Sequence, residues 1–434
     1  MYGFYFLSSK EQICTVLYLF KEEYTMSNLL SRVRQGRSNE TSIFDVMYQT
    51  GFAGFDFLNG FEVTGYHKDK TKYTYFATGI LDGSFNQIIG RSGSGKTTWA
   101  IQVAANIIRP FENGFMLVRS IEGGITIPRM ETLTGFSQQE LFDRVDIANF
   151  GVTTESVFDD VHAIYEEKKE NSKDYTYDTG LVDSLGQPII KYVPTVYVLD
   201  SIAMLVPERV SDRDDLGGQM DATALAKSNT QLIKRIIQLM KEVNIIFLGI
   251  NHITQSVEIN PMMHSQAQNA YLKQSESIPG GKAMMYLANN IIRFNDKKIK
   301  SETFGFNGME TDISLVKSRS NRSQEDYIPL LLDFTNGFNP IISNMLFLKQ
   351  VGRITARGAY MQIDDHSDMK FTNKKFLEKY FNDEKFREIF DRVCLEALQG
   401  LLPKRQDEAK LNNQKLLNKA MNDFARMCST VIEE

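Results

Sequence analysis

Gly90-Arg91-Ser92-Gly93-Ser94-Gly95-Lys96-Thr97 is a complete G-x-x-x-x-G-K-T phosphate-binding loop. The apolar run Asn86-Gln87-Ile88-Ile89 ends just before it, and the helix-compatible run Thr98-Trp99-Ala100-Ile101-Gln102-Val103-Ala104-Ala105 follows. This order predicts strand, loop and helix, the setting the motif requires. Glycines at Gly90, Gly93 and Gly95 let the backbone curl so that its N–H groups face a phosphate beside the positive end of the next helix. Arg91, Ser92, Ser94 and Thr98 complete the cradle. Lys96 would reach the β- and γ-phosphates, and the Thr97 hydroxyl would hold Mg²⁺. The expected ligands are therefore ATP and Mg²⁺. A Gly/Ser-rich turn that merely precedes a helix is the bland alternative.

Outward from the loop, short β-rich runs alternate with helical patterns from Leu81 to about Phe338. Such alternation predicts an α/β fold with a mainly parallel central sheet flanked by helices. The clearest strands are expected at Ser84–Ile89, Gly114–Val118, Val193–Leu199, Asn244–Ile250, Asn290–Phe294 and Ile313–Val316. The clearest helix is expected at Lys227–Lys241, where Leu232, Ile233, Ile236, Ile237 and Met240 recur at helical spacing. Before the core, Gly60-Phe61-Glu62-Val63-Thr64-Gly65 and Lys68-Asp69-Lys70 read as turns and loop. Past Asn339 the pattern turns mainly helical, and Leu417, Met421, Phe424, Cys428 and Val431 form one apolar stripe. The expected division is an N-terminal segment over 1–60 serving oligomerisation, an ATPase core over 61–339 and a mainly helical unit over 340–434.

Composition narrows the class. The 434 residues, 42% hydrophobic and 24% charged, suit a soluble globular protein. Three separated cysteines point to a reducing cytoplasm rather than a disulfide framework. A net charge of −5 excludes the global basic field of many nucleic-acid binders, so any DNA contact must be local. Phe4-Tyr5-Phe6-Leu7 and Val16-Leu17-Tyr18-Leu19-Phe20 are too short to span a bilayer and read as a surface helix or strand, and no membrane partner is expected. Met26 is a second candidate start, and both starts stay open.

Three further strand ends carry chemistry. Thr195-Val196-Tyr197-Val198-Leu199-Asp200 is a buried-strand pattern closing on a carboxylate, which in a phosphate-loop enzyme coordinates Mg²⁺ directly or through water. Phe115-Met116-Leu117-Val118 leads into Arg119-Ser120-Ile121-Glu122-Gly123-Gly124, which places Glu122 where open α/β sheets bind ligands. Glu122 reads as the group that activates water, or as a solvated loop acid. Ile245-Ile246-Phe247-Leu248-Gly249-Ile250 delivers Asn251 and His252 to the same edge. These read as sensors of the γ-phosphate, with His252 alternatively an ordinary hydrogen-bonded histidine.

Together these segments resemble the RecA-type recombinases, most closely their phage UvsX-like branch. The resemblance runs through the phosphate loop, Glu122-Gly123-Gly124-Ile125-Thr126, Val198-Leu199-Asp200-Ser201, Ile250-Asn251-His252, Gly280-Gly281 opening a helix, and Lys317-Ser318-Arg319. It covers about Gly51 to Arg392, with one departure at Ser120, where the family usually carries an acid. It implies a catalytic role for Glu122, a Mg²⁺ role for Asp200, and cations at Lys317 and Arg319 that reach the triphosphate of a neighbouring subunit. Without it, those two cations read as a solvated strand end. The resemblance also implies two DNA-binding loops. One is Glu208–Met220, with Arg209, Arg213, Gly217 and Gly218; the other is Ile253–Pro279, with Tyr271 and Lys273. Neither is strongly basic, so backbone amides, polar side chains and stacking by Tyr271 are the expected contacts. Plain surface loops are the alternative.

The expected activity is therefore DNA-stimulated ATP hydrolysis by a recombinase that forms helical filaments on single-stranded DNA and pairs it with a homologous duplex. Single-strand-binding and mediator proteins would be its partners, and the host cytoplasm its place if a phage encodes it. Two alternatives stay open. A hexameric replicative helicase motor shares these motifs, although such motors carry a sizeable domain before the core and only about ninety residues precede this loop. An ATP-switched recombination mediator would bind ATP without DNA-stimulated turnover.

Overall fold

The structure is a computed structural model that describes residues 14–17, 44–183, 186–211, 219–255, 272, 276–279, 282–295, 299–301, 304, 307–319, 327–398 and 415. Its centre is a large mixed sheet. In spatial order the strands are Gly337–Phe338, Tyr327–Asp333, Gly308–Ser318, Asn290–Phe294, Phe85–Gly90, Ile245–His252, Thr195–Asp200, Phe115–Ser120 and Val145–Ala148. From Asn290–Phe294 to Val145–Ala148 every neighbouring pair is parallel. The strands on the far side of Asn290–Phe294 pair antiparallel, and Ile299–Ser301 adds to the end of Gly308–Ser318. The chain is thus mixed α/β with a mostly parallel sheet. Each expected strand is present, shifted or extended at its ends.

The parallel strands are apolar along their whole length because both faces are covered. Side chains alternate across the sheet. In Thr195–Asp200, Val196 and Val198 enter one core cluster while Tyr197 and Leu199 enter the other. The first cluster packs under the helices Lys96–Ile108, Ala53–Leu58 and Pro340–Gln350. The second lies under Thr154–Glu170 and Gln219–Val243. The latter helix begins eight residues before the expected Lys227 and takes in Gln219 and Met220, which had read as the end of a loop.

Trp99 is the single tryptophan of the chain and is fully buried. It stacks edge-on against Phe55 at 5.2 Å and Phe294 at 5.9 Å, so the phosphate-loop helix, the Ala53–Leu58 helix and the sheet share one aromatic joint. Gln102 ties the same helix to the Gly337–Phe338 strand, donating to Phe338 O at 2.9 Å and accepting from Phe338 N at 2.8 Å. Asp56 closes the turn ahead of its helix, accepting from Thr50 N at 3.1 Å and Thr50 Oγ1 at 2.8 Å. Burial pushes the Asp56 carboxyl up to about 7 against those two donors.

One reading is corrected here. Gly60–Gly65 is not turn and loop: Phe61–Tyr66 is a strand paired antiparallel with Lys72–Ala77, in a four-stranded sheet completed by Thr176–Val182 and Pro188–Tyr192. Gly65 sits mid-strand because the Tyr73 ring lies over it, 2.5 Å from where a Cβ would stand. Beyond Asn339 the helices enclose a small sheet of Ile354–Arg357, Tyr360–Ile363 and Lys370–Phe371. The chain returns to helix at Phe376–Asn382 and at 384–398. At the other end, Cys14–Leu17 is a strand paired with Phe44–Tyr48. The Leu417–Val431 stripe and Gly280-Gly281 lie outside the described residues. Among the described residues no helix is long and apolar enough to cross a membrane.

Candidate active site

The strands Phe85–Gly90, Phe115–Ser120, Thr195–Asp200 and Ile245–His252 run parallel and end at one edge of the sheet, where such folds collect ligands. Register fixes which residues meet there. Asp200 lies opposite Ser120, and His252 lies opposite Gly90. One residue past the strand end, Ile121 N donates to Asp200 O at 2.6 Å, holding the root of the Glu122 segment against the Asp200 strand.

The loop from Gly90 turns into its helix through Gly95, at φ 90°, where a Cβ would stand 2.8 Å from the Phe338 ring. Only glycine combines that dihedral with that approach. Trp99 N bonds Gly95 O at 3.0 Å, so the helix begins at once and its first amides face the loop. Arg91, Ser92 and Gly93 are exposed; Gly95, Thr97 and Thr98 are half-buried. Ser94 is buried, and its hydroxyl has no hydrogen-bond partner among the described residues. Lys96 is 4% exposed, and its ammonium donates to Arg91 O at 2.7 Å, inside the loop's own curve. Burial pulls Lys96 down to about 8, opposed by the charges of Asp200 and Glu122.

Thr97 Oγ1 donates to Asp200 Oδ2 at 2.6 Å, a contact across 103 residues of sequence. Burial raises the Asp200 carboxyl, the Thr97 bond lowers it, Glu122 adds to the rise, and His252 and Lys96 oppose it. His252 Nε2 lies 2.6 Å from Glu122 Oε1, so the exposed glutamate is held by the half-buried histidine. Glu122, Asp200 and His252 each bring a donor atom within 4.8 Å of the others, a spacing that one cation can bridge. Loop, carboxylates and histidine are thus one constellation, assembled from four separate stretches of chain.

Asn251 is different. Its amide donates to Pro279 O at 2.9 Å and its oxygen accepts from His252 N at 2.9 Å, so it faces the connection that follows the strand rather than the loop. Behind the constellation lies a network that sequence reasoning did not find. Arg119 forks onto Asp160 at 2.7 and 3.1 Å and pairs with Asp146 at 2.7 Å, while the Tyr197 hydroxyl donates to Asp160 at 2.7 Å. It ties three of the strands to the Thr154–Glu170 helix, and its only signal in the sequence is an arginine closing an apolar strand.

Lys317 and Arg319 leave the end of Gly308–Ser318 on the antiparallel side of the sheet. The Lys317 ammonium donates to Met285 O, Tyr286 O and Ala288 O at 2.6, 2.9 and 2.8 Å, using all its protons on the end of the Lys282–Leu287 helix. Arg319 donates to Tyr286 O as well. Burial and the neighbouring Arg319 charge pull Lys317 down to about 8. Of the expected DNA-contacting residues, Arg209 lies on the one-turn helix Glu208–Ser211. Arg213, Gly217, Gly218, Tyr271 and Lys273 lie outside the described residues.

Compared with known proteins, the chain matches no protein-family model, and no curated protein matches it.

Proposed function

We propose that the chain is an ATP-dependent DNA recombinase with a RecA-type phosphate-loop core, working in the cytoplasm as a filament of identical subunits on single-stranded DNA. The observation that carries this reading is the pairing of Thr97 with Asp200 beside Glu122 with His252, at the mouth of the glycine-rich loop. A curled loop, together with a Ser94 hydroxyl that has no partner and a buried Lys96 bonded only to a loop carbonyl among the described residues, fits a triphosphate seated there. Thr97 and Asp200 are a hard-oxygen pair suited to Mg²⁺. That ion, when bound, offsets charge on the β- and γ-phosphate oxygens.

In this reading Lys96 holds the β- and γ-phosphates. Glu122 accepts the proton of the water whose oxygen bonds the γ-phosphorus as the bond to the bridging oxygen breaks. His252 orients Glu122 and senses whether the terminal phosphate is present. Lys317 and Arg319 belong to the contact with a neighbouring subunit. Single-stranded DNA is engaged by the segments containing Arg209, Arg213, Gly217, Gly218, Tyr271 and Lys273, through amides and stacking more than charge. A homologous duplex is the second DNA partner.

Electron microscopy of the protein with ATP and single-stranded oligonucleotide tests this reading. Helical filaments are expected. Closed six-membered rings would move the assignment to a helicase motor, and a monomer that hydrolyses no ATP would end it.

A further inference from the structure

Lys68-Asp69-Lys70 reads from sequence as a charged loop. The structure makes it the tip of a hairpin between the strands Phe61–Tyr66 and Lys72–Ala77. His67 N donates to Thr71 O at 2.9 Å and Lys70 N to His67 O at 2.8 Å, with Lys70 in the left-handed region at φ 69°. Asp69 is engaged by this turn: its Oδ1 accepts from Thr71 N at 3.0 Å and from Thr71 Oγ1 at 2.6 Å. The tip between Thr176–Val182 and Pro188–Tyr192 packs against it, with Gly186 so close that a Cβ would stand 3.0 Å from Lys68 O. The acid of that second tip, Asp183, accepts from Gln187 N at 2.8 Å.

The acids thus close turns while the cations stay outside them. Lys68, Lys70 and Lys72 are exposed and form no ion pair among the described residues. Beside them runs a row of rings. Tyr73 and Tyr75, two apart on one face of their strand, lie 5.8 Å centroid to centroid, and His67 closes on Tyr73 at 4.6 Å. Both pairs are tilted by 37°. Tyr73 is anchored across the hairpin, its ring filling the room that Gly65 leaves. His67 ends the row: it is exposed, and Tyr73 is its one ring neighbour among the described residues. The sheet carrying this hairpin joins the core where the parallel strands begin. There Asn244, the residue before Ile245–His252, donates to Tyr192 O at 2.8 Å. The phosphate loop stands at the opposite edge.

We propose that the 67–72 tip is a contact site for single-stranded nucleic acid, in which a base stacks on His67 and the three lysines take the flanking phosphates. The base would continue the ring row that Tyr75 and Tyr73 begin. Stacking of this kind needs a base with an open face, which a duplex keeps inside its own stack. Lysines meet phosphate as point charges and fix no sequence. A chain of net charge −5 has no general attraction for a polyanion, so the strand is held where cations gather beside rings. The inference rests on the recombinase reading for DNA as the strand, and it adds a contact outside the two loops named there.

The test uses the full chain with a non-hydrolysable ATP analogue and follows anisotropy of a labelled oligothymidylate over a range of salt. The triple variant Lys68→Gln/Lys70→Asn/Lys72→Gln, with asparagine chosen for the left-handed position, should weaken binding. It should also lower the slope of log affinity against log salt by about 2, at about 0.7 per phosphate on a single strand. His67→Ala should weaken binding about five- to a hundredfold with the slope unchanged, and His67→Phe, which restores a flat ring, should recover most of the loss. Ultraviolet crosslinking to the same strand should mark His67 or Tyr73 in the wild type. Tm and DNA-free ATP turnover should not change in any variant, because the altered positions are exposed. Wild-type binding that no variant alters overturns the proposal and leaves the recombinase reading standing. So does an equal loss for duplex and single strand, or a His67→Phe protein that binds no better than His67→Ala. A wild-type protein with no affinity for single strands ends both readings.

Discussion

At the carboxyl edge of the parallel strands, Thr97, Asp200, Glu122 and His252 find one another across long stretches of chain. At the end of the Gly308–Ser318 strand, Lys317 and Arg319 find, among the described residues, only main-chain carbonyls at a nearby helix end. The first group satisfies polar side chains with each other. The second uses its cations to close a helix end. A site complete within one chain shows in its mutual contacts. A residue proposed to act across a subunit boundary rests, in the single chain, on whatever acceptor is nearest. Reaching a neighbour's phosphate would require Lys317 to give up three carbonyls.

The largest effect that bears on this contrast is expected at Lys96. Lys96→Ala should lower ATP turnover by about a thousandfold or more, measured as phosphate release, because a preorganised charge at the phosphates is lost. Near-normal turnover would remove the first region from the comparison. Glu122→Gln should lower turnover by about a hundred- to a thousandfold with fluorescent-nucleotide affinity retained. Loss of affinity instead would make the Glu122–His252 contact structural.

The second region predicts a split between its two cations. Lys317→Met leaves three carbonyls without their ammonium and should destabilise the fold by about 1–3 kcal/mol in denaturant titration. Arg319→Ala should cost less than about 1 kcal/mol, its known bond being one contact at an exposed site. Both should weaken DNA-stimulated hydrolysis while leaving nucleotide affinity of the monomer nearly intact. Equal stability losses would erase the distinction drawn for Lys317.

The last effect is one of pH and concerns Asp56, whose donors from Thr50 are uncharged. Asp56 is raised from 3.8 to about 7 by burial, with the Thr50 hydroxyl and amide opposing. The unfolded chain therefore releases that proton at lower pH than the folded one. Stability should decline as pH rises between those two values and level off above them. Asp56→Asn should flatten this slope in denaturant titrations run across the window. An unchanged slope would assign the dependence to other groups.

The phosphate loop, the strands behind it and the carboxylates at Glu122 and Asp200 were legible because each is a local pattern: an apolar run that stops at a polar residue. His252 was legible as a placement, though its contact with Glu122 was not, since 130 residues separate the two. The Phe61–Tyr66 strand escaped notice because Gly60 and Gly65 look like turn residues, and what permits Gly65 is a ring contributed by the next strand. Glu276 escaped notice for a related reason. A lone acid in a polar stretch looks solvated until the fold brings Arg293 to it. Asn251 was read as facing the ligand, whereas hydrogen bonds to Pro279 and to the next amide turn it away.

Trp99 gives the molecule an optical probe that needs no labelling. The indole is the only one in 434 residues, and it sits two positions after Thr97, wedged between phenylalanines of two other elements. Its emission therefore reports from a single known spot at the base of the glycine-rich turn. A titration of unmodified protein with ATP can follow that spot directly in a fluorimeter, before any DNA is added.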